Sequence, residues 1–246
     1  MTNGPWVLDP KTITKTLGIQ SVSILNDMTA AALGLLRLGT DDARQIGGST
    51  AIAHAPKAII APGTGLGISG LIPAGDVNWS ALPSEGGHVD LAPQSEREIA
   101  VIFHLLRQHG HVSAERILSG PGLETLYQTL AALDGIELKA HLAAVDIVNA
   151  AKRGEAMANE AINLFCGWLG SVAGNLTLSL GAQGGLYIGG GIVSQWGDLF
   201  DEALFRRRFE AKGRASAYLE PIPTYLITRK DTALLGCLEK AQSLIA

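Results

Sequence analysis

The spacing of hydrophobic and polar residues along the chain predicts strands and helices that follow one another. Short apolar runs predict strands at residues 21–25, 57–62, 68–73, 185–188 and 223–227. Apolar residues at helical spacing predict helices at 11–17, 29–38, 95–108, 113–118, 123–133, 144–152, 155–180, 199–212 and 232–244. This mixture predicts an α/β protein.

The helix predicted at residues 95–108 has a clear start signal and one apolar face. Ser95 can cap its N-terminus, and Glu98 stands three places later, as in a capping box. Its residues Ile99, Ile102, Phe103 and Leu106 are predicted to form one apolar face.

Three polar stretches are predicted to lie outside the regular elements. Residues 39–55 are rich in Gly, Ser and Thr, which is typical of turns and of a crossing between domains. Residues 79–93 are predicted to be mostly loop. The triplet Arg206 to Arg208 is interpreted as a solvated helix end whose charge complements the helix dipole.

Composition predicts a globular protein and argues against a nucleic-acid partner. Of the 246 residues, 47% are apolar and 17% are charged, so the chain can bury a sizeable core. The net charge is -4 and there is no long basic run. An anionic nucleotide would therefore have to be held by backbone N–H groups and a metal ion rather than by a basic patch.

Cysteine usage and hydropathy predict a cytosolic protein without a membrane span. Cys166 and Cys237 lie in apolar helical surroundings and are predicted to be buried. Because there is no CxxC pair and no Cys/His cluster, no structural zinc site is expected. The longest apolar stretch, 162–180, barely reaches the length of a membrane span, and its small residues favour a helix packed inside the protein.

Asn26 and Asp27 are the first candidates for chemistry. They stand where the predicted strand 21–25 gives way to the predicted helix 29–38. Junctions of this kind are where open α/β sheets bind ligands. Asn and Asp are also favoured N-cap residues, and capping alone is sufficient reason for either one to stand here.

Two glycine-rich turns are candidates for binding a nucleotide. In the first, Gly63, Gly65 and Gly67 alternate with Thr64 and Leu66 between two strands. Glycine permits positive φ and close approach of the backbone, so successive N–H groups could hold a phosphate, although a plain hairpin turn is the alternative. In the second turn, Gly189, Gly190 and Gly191 follow a strand, and would let an adenine or ribose lie on the backbone, or form only a flexible turn. The first turn matches neither a Walker A nor a Rossmann motif.

Glu85, His88 and Glu115 are candidates for binding a polyol. Carboxylates accept hydrogen bonds from hydroxyl groups, and imidazole can donate or accept. Glu85 and His88 also have the spacing of a di-iron motif, but the intervening Gly86 and Gly87 argue against the helix that it requires. The alternatives are a loop histidine bonded to nearby backbone and a carboxylate at the start of a helix.

The chain resembles the bacterial glucokinases of proteobacterial type, within the sugar kinase, actin and heat-shock ATPase superfamily. The resemblance rests on motifs that occur in order along nearly the whole chain: ILNDMTA (24–30), GTGLG (63–67), LPSEGGHVD (82–90), HVSAER (111–116), LSGPGL (118–123) and IGGGIV (188–193). Ordered motifs of this length are far more specific than any single glycine loop.

The resemblance implies a role for each candidate residue. Asp27 is expected to be the catalytic base, and the glucose hydroxyls are expected to be held by Asn26, Glu85, His88 and Glu115. The phosphate motif is expected at Gly63, Thr64, Gly65 and Gly67, and the adenosine motif at Gly189, Gly190 and Gly191. Members of this family are cytoplasmic homodimers that use ATP, with Mg²⁺ carried by the nucleotide, to make glucose 6-phosphate in the first step of glycolysis. No protein metal site is expected, since the zinc motif of the related repressor and kinase family is absent.

The resemblance also implies a two-domain actin-like ATPase (ribonuclease-H-like) fold with mixed sheets. Residues 1–38 and 228–246 are expected to form part of a small domain, and 39–227 a large one. Members begin with an Asp-x-Gly-Gly-Thr phosphate loop that nothing here matches, so the small domain is expected to be truncated, by a shortened gene product or a mis-set start codon. The alternative function is a catalytically impaired sugar-binding remnant. A sugar-responsive regulator and an acyl kinase are less favoured.

Overall fold

A computed structural model describes residues 7–244 and contains one six-stranded mixed sheet with helices on both faces. The strands are β1 (Ala43–Gly47), β2 (Lys57–Pro62), β3 (Leu66–Ala74), β4 (Asn78–Leu82), β5 (Leu186–Ile188) and β6 (Thr224–Ile227). Their order across the sheet is β1-β6-β5-β2-β3-β4. The central strands β2, β5 and β6 are parallel, whereas β1, β3 and β4 pair antiparallel to their neighbours.

The helix predicted at 113–118 is wrong, because only a 3₁₀ turn forms there, at Ala114–Arg116. The α-helices of the described residues otherwise lie close to the positions that periodicity predicts. They are α1 (Pro10–Leu17), α2 (Asp27–Gly34), α3 (Glu96–His109), α4 (Gly120–Leu133), α5 (Ala144–Lys152), α6 (Ala156–Leu180), α7 (Glu202–Glu210), α8 (Ser216–Leu219) and α9 (Thr232–Ser243). Ser95 caps α3, because its Oγ accepts a hydrogen bond from the backbone N–H of Glu98.

The 25-residue helix α6 forms the centre of the larger core. It is long and apolar enough to cross a membrane, but most of its apolar window is buried inside the protein. It packs against α4, α5, α7 and β2, and its side chains Phe165 and Trp168 are fully buried. This burial is what the sequence predicts for a packed helix.

The smaller core lies on the other face of the sheet, under α2 and α9. Ala32, Leu33 and Leu35 pack there against Ile59, Leu71 and Ile227. The two helices cross at glycines: a Cβ on Gly34 would lie 2.0 Å from the Thr232 carbonyl oxygen, and one on Gly236 would lie 1.7 Å from that of Ala30. Side chains at these positions would push the helices apart. The proposed division into a small and a large domain stays a prediction.

The predicted strand at 21–25 is wrong. These residues have no regular secondary structure, and their backbone groups form no hydrogen bond to any other part of residues 7–244. Ile24 is 45% exposed. An apolar run becomes a strand only where a neighbouring strand pairs with it. Conversely, β1 and β4 lie in segments that the sequence predicts to be turn and loop. Strand β1 forms because it pairs with β6, and strand β4 forms because it pairs with β3.

Of the four residues on the predicted apolar face of α3, only Ile102 packs in the core. Val101, Ile102 and Leu105 are buried, whereas Ile99, Phe103 and Leu106 are 55%, 62% and 42% exposed. The helix carries apolar residues on two sides, and periodicity alone does not say which side meets the core.

The interpretation of two other groups is corrected as well. Cys166 is buried as predicted, but Cys237 is exposed on α9. Arg206 is 8% exposed and donates to the carbonyl oxygen of Ile222 and the hydroxyl of Thr224. It is therefore a structural side chain and not part of a solvated helix end. The buried arginines are satisfied by tertiary acceptors, which local sequence does not reveal.

Candidate active site

The topology of the sheet brings the candidate segments to one edge. The parallel strands β2 and β5 end there, so the Gly63 and Gly189 turns that follow them are neighbours. Strand β3 leaves this edge and β4 returns to it, which places the loop with Glu85 and His88 at the same edge. Ligands bind at the carboxyl ends of the strands in open α/β sheets.

The glycines of the first turn allow close approach rather than unusual backbone angles. Gly63, Gly65 and Gly67 all lie outside the left-handed region, so none of them uses the positive φ that glycine permits. A Cβ on Gly65 would lie 2.4 Å from Glu115 Oε2, and one on Gly67 would lie 2.3 Å from Met28 Sδ. Around Gly63 there is open space. Each glycine therefore has its own steric reason to be there.

The backbone of this turn keeps two donors available. The Gly63 N–H donates to the carbonyl oxygen of Gly65 at 2.8 Å. The N–H groups of Thr64 and Gly65 form no hydrogen bond within the described part of the chain. Two successive unpaired N–H groups beside open space can bind phosphate oxygens.

The second glycine turn packs onto the end of β2. The Gly189 N–H donates to the Ile60 carbonyl oxygen at 2.8 Å. Gly190 has φ +84°, and a Cβ there would lie 2.2 Å from the carbonyl oxygen of Pro62. A side chain at Gly190 would therefore both strain the backbone and separate the two turns.

Glu85, His88 and Glu115 come together as the sequence predicts. His88 Nδ1 lies 3.9 Å from Glu115 Oε1, and His88 Nε2 lies 4.0 Å from Glu85 Oε2. The side chains of Glu85 and His88 are 80% and 61% exposed, and that of Glu115 is 35% exposed. The imidazole stands between two carboxylates that open to solvent, an arrangement suited to a ligand with several hydroxyl groups.

Backbone pairing holds this cluster together. The Leu91 N–H donates to the Val112 carbonyl oxygen at 3.0 Å, and the Ala114 N–H to that of Val89 at 2.9 Å. These bonds join the His88 loop to the segment that carries Glu115. One oxygen of Glu115 also accepts from the Leu66 N–H at 2.8 Å.

Asn26 is the N-cap of α2, and Asp27 is its first residue. Asn26 Oδ1 accepts from the N–H groups of Met28 at 2.9 Å and Thr29 at 3.2 Å, so capping is confirmed. Asp27 Oδ1 accepts from the Met28 N–H. Both side chains are exposed, and the Asn26 amide nitrogen and Asp27 Oδ2 form no hydrogen bond to residues 7–244. Capping and ligand binding can therefore use different atoms of the same pair.

The start of α2 lies beside the hairpin because the Met28 side chain fills the space that Gly67 leaves. Glu115 occupies the corresponding space at Gly65. Met28 and Glu115 thus contact the hairpin at positions two residues apart, which is about 7 Å of extended chain.

One element of this edge, the start of α4, is not predicted by the sequence pattern. The helices predicted at 113–118 and 123–133 leave residues 119–122 between them, but the Ser119 Oγ accepts from the Gly122 N–H and caps α4, which begins at Gly120. The Gly120 N–H donates to the Gly63 carbonyl oxygen at 2.9 Å. The signal was present: Ser followed two places later by Pro is typical of a helix start.

Among residues 7–244, no group of three or more His, Cys, Asp or Glu side chains is arranged to hold a metal ion. The donors present are suited to hydroxyl groups and to phosphate.

Comparisons with known proteins agree with this geometry. The family described as Glucokinase matches residues 1–244. The chain is 48% identical to a glucokinase of Chromobacterium violaceum over 96% of its own length and 68% of that protein. It is also 48% identical to the bifunctional protein glk of Burkholderia pseudomallei, again over 96% of the chain, but it spans only 37% of the length of that relative.

Solved structures of glucokinases share this architecture. A glucokinase from an Antarctic psychrotroph is 35% identical, with a TM-score of 0.88 over 95% of this chain and 72% of that one. A ROK family glucokinase from Streptomyces griseus, in complex with glucose and AMPPNP, has a TM-score of 0.62 at 20% identity, over 95% of this chain and 72% of that one. These likenesses confirm the predicted actin-like ATPase fold class. Because the family match extends over 1–244 and the closely similar relatives are glucokinases, this chain belongs to the glucokinase family.

Proposed function

We propose that this chain phosphorylates the 6-hydroxyl of glucose with MgATP and releases glucose 6-phosphate and ADP. The proposal rests mainly on one observation: a cluster of polar side chains and a pair of free backbone N–H groups lie next to each other, where the parallel strands end. Glu85, His88 and Glu115 form a polar cluster suited to a hexose. The free N–H groups of Thr64 and Gly65 lie beside it and are suited to phosphate.

Asp27 is proposed to be the general base. As the 6-hydroxyl oxygen forms its bond to the γ-phosphorus, the bond from that phosphorus to the β-phosphate oxygen breaks, and the hydroxyl proton passes to the Asp27 carboxylate. Asp27 Oδ2 is the oxygen for this role, because Oδ1 is engaged by the Met28 N–H. The remaining work of the protein is to position the sugar and the phosphates.

Each half of the site holds one substrate. Asn26, Glu85, His88 and Glu115 are proposed to bind the sugar hydroxyls. Gly63, Thr64, Gly65 and Gly67 are proposed to hold the phosphates, and Gly189, Gly190 and Gly191 the adenosine. Mg²⁺, which arrives with the nucleotide, offsets the charge on the transferred phosphoryl group.

A coupled assay of ADP release on the 246-residue chain tests this proposal. We expect ADP release that depends on glucose and saturates with it. Calorimetry with glucose alone separates the alternatives: binding without turnover would favour a sugar-binding remnant, and neither binding nor turnover would contradict both functions.

The proposed reaction suggests a cytoplasmic enzyme that supplies glucose 6-phosphate to glycolysis. The chain is also proposed to form a homodimer through the exposed face of α3. Its exposed Ile99, Phe103 and Leu106 are spaced by four and three residues, which is the spacing of a helix-pairing seam. Glu96 lies in the first turn and Arg107 in the last. Antiparallel pairing with a second copy would therefore set acidic ends against basic ends.

Phe103→Glu is expected to convert the dimer to a monomer, because it puts two carboxylates together at the centre of the seam. Light scattering coupled to size exclusion measures the mass directly. Val145→Glu is the matched control, since Val145 is 64% exposed on α5, away from the seam. A dimer that persists in Phe103→Glu would rule out this face.

A further inference from the structure

We propose that the phosphate hairpin orients the sugar-binding carboxylate of Glu115. The Leu66 N–H does so by donating a hydrogen bond to it, and Gly65 does so by leaving it room. This inference rests on the proposed function. Gly65 belongs to the loop that is proposed to bind phosphate. The inference gives it a second role, which is to leave room for the Glu115 carboxylate and so to strengthen glucose binding.

Glu115 is fixed by the hairpin at one oxygen only. Its Oε2 accepts from the Leu66 N–H at 2.8 Å, while Oε1 faces His88 at 3.9 Å. Leu66 is itself immobilised, because it is 5% exposed and pairs with Pro62 at the start of β3. The carboxylate is thus oriented before any ligand arrives, and Oε1 is the oxygen left for a sugar hydroxyl. Such preorganisation lowers the entropy lost on binding.

Gly65 makes this arrangement possible by having no side chain. A Cβ on Gly65 would lie 2.4 Å from Glu115 Oε2, closer than two such atoms can approach. The φ of Gly65 is outside the left-handed region, so alanine fits the backbone there. The atom that the new methyl group meets is the end of a flexible side chain. Gly65→Ala is therefore expected to displace the carboxylate without unfolding the hairpin.

Gly63 provides a matched control in the same turn. It also lies outside the left-handed region, but an added Cβ would meet no protein atom within 4 Å. A methyl group at Gly63 leaves Glu115 untouched and can crowd only what occupies the open space beside the turn. The two substitutions therefore separate sugar positioning from phosphate binding.

Calorimetry on the 246-residue chain with glucose alone, and with AMPPNP alone, tests the inference. Gly65→Ala is expected to raise the Kd for glucose about tenfold or more, the usual effect of losing one oriented hydrogen bond to a charged group. Its Kd for AMPPNP is expected to change less. Gly63→Ala is expected to leave the Kd for glucose unchanged and to weaken AMPPNP.

A double-mutant cycle shows whether Gly65 acts through Glu115. In a Glu115→Ala background the further change Gly65→Ala should not weaken glucose binding, because the carboxylate it displaces is gone. An equal loss in both backgrounds would overturn the inference, and so would wild-type glucose affinity in Gly65→Ala. If the wild-type chain binds no glucose at all, the proposed function falls first and this inference falls with it.

The Leu66 amide gives a second measurement that needs no substitution at Gly65. Its NMR resonance should move when glucose binds to the wild-type chain and stay in place when glucose is added to Glu115→Ala. Glucose binding to the wild-type chain with no movement of the Leu66 amide would overturn the link.

Discussion

Asp27→Asn is expected to lower kcat for glucose phosphorylation by about 10²–10⁴, the usual effect of losing a positioned general base. Asparagine keeps the size of the side chain and an oxygen that can accept from the Met28 N–H. The start of α2 should therefore remain intact. Only the capacity to take a proton from the 6-hydroxyl is lost, so the Kd for glucose should stay within a few-fold of wild type.

The assay for this variant is ADP release at saturating glucose and ATP, with the Kd for glucose measured by calorimetry. Asp76→Asn is the matched control, because Asp76 is an exposed aspartate in the turn between β3 and β4, at the opposite edge of the sheet. Its kcat should equal that of wild type. Near-normal turnover in Asp27→Asn would remove Asp27 from the mechanism.

The parts of the fold that the sequence predicts well are those that carry local signals. Strand β2 has the predicted bounds because an apolar run ends at Pro62 and a glycine turn. Helix α3 begins where Ser95 caps it. The sequence predicts that a strand precedes each of the glycine turns at Gly63 and Gly189. It does not predict that these two strands, β2 and β5, pair in parallel, which is what makes the two turns neighbours.

The failures are those of long-range pairing. The run at 21–25 has the composition of a strand but pairs with no strand within the described residues. Strand β4 forms because it pairs with β3, although its own sequence does not predict a strand. The link between Glu115 and Leu66 joins positions 49 residues apart, so no local pattern could predict it. No local pattern could predict either that the Glu115 carboxylate occupies the space where a side chain at Gly65 would lie.

A buried ion pair across the core should have the largest effect on stability. Glu98 on α3 is 1% exposed, and its two oxygens accept from the two terminal nitrogens of Arg208 on α7, at 2.6 and 3.0 Å. Glu98 also accepts from the Gln94 N–H, and Arg208 donates to the Ser171 hydroxyl. The pair therefore joins α3, α6 and α7, and its polar atoms are satisfied.

Glu98→Ala is expected to lower the free energy of unfolding by about 3–5 kcal/mol, because it leaves the Arg208 guanidinium buried without its counter-charge. Urea denaturation at neutral pH measures the loss. Glu202→Ala is the matched control: Glu202 pairs with Arg44 at the surface, where their side chains are 37% and 53% exposed, so about 0–1 kcal/mol is expected. A loss in Glu98→Ala as small as that of the control would contradict the prediction.

The double variant Glu98→Met, Arg208→Met separates the cost of an orphaned charge from the value of the pair itself. Replacing a buried ion pair by apolar side chains of similar size is often neutral or stabilising, because neither charge then has to leave water. The double variant should therefore be more stable than Glu98→Ala. If it is instead less stable than the wild-type chain, the attraction between Glu98 and Arg208 exceeds the cost of burying them, and the charge pair itself holds α3 against α7.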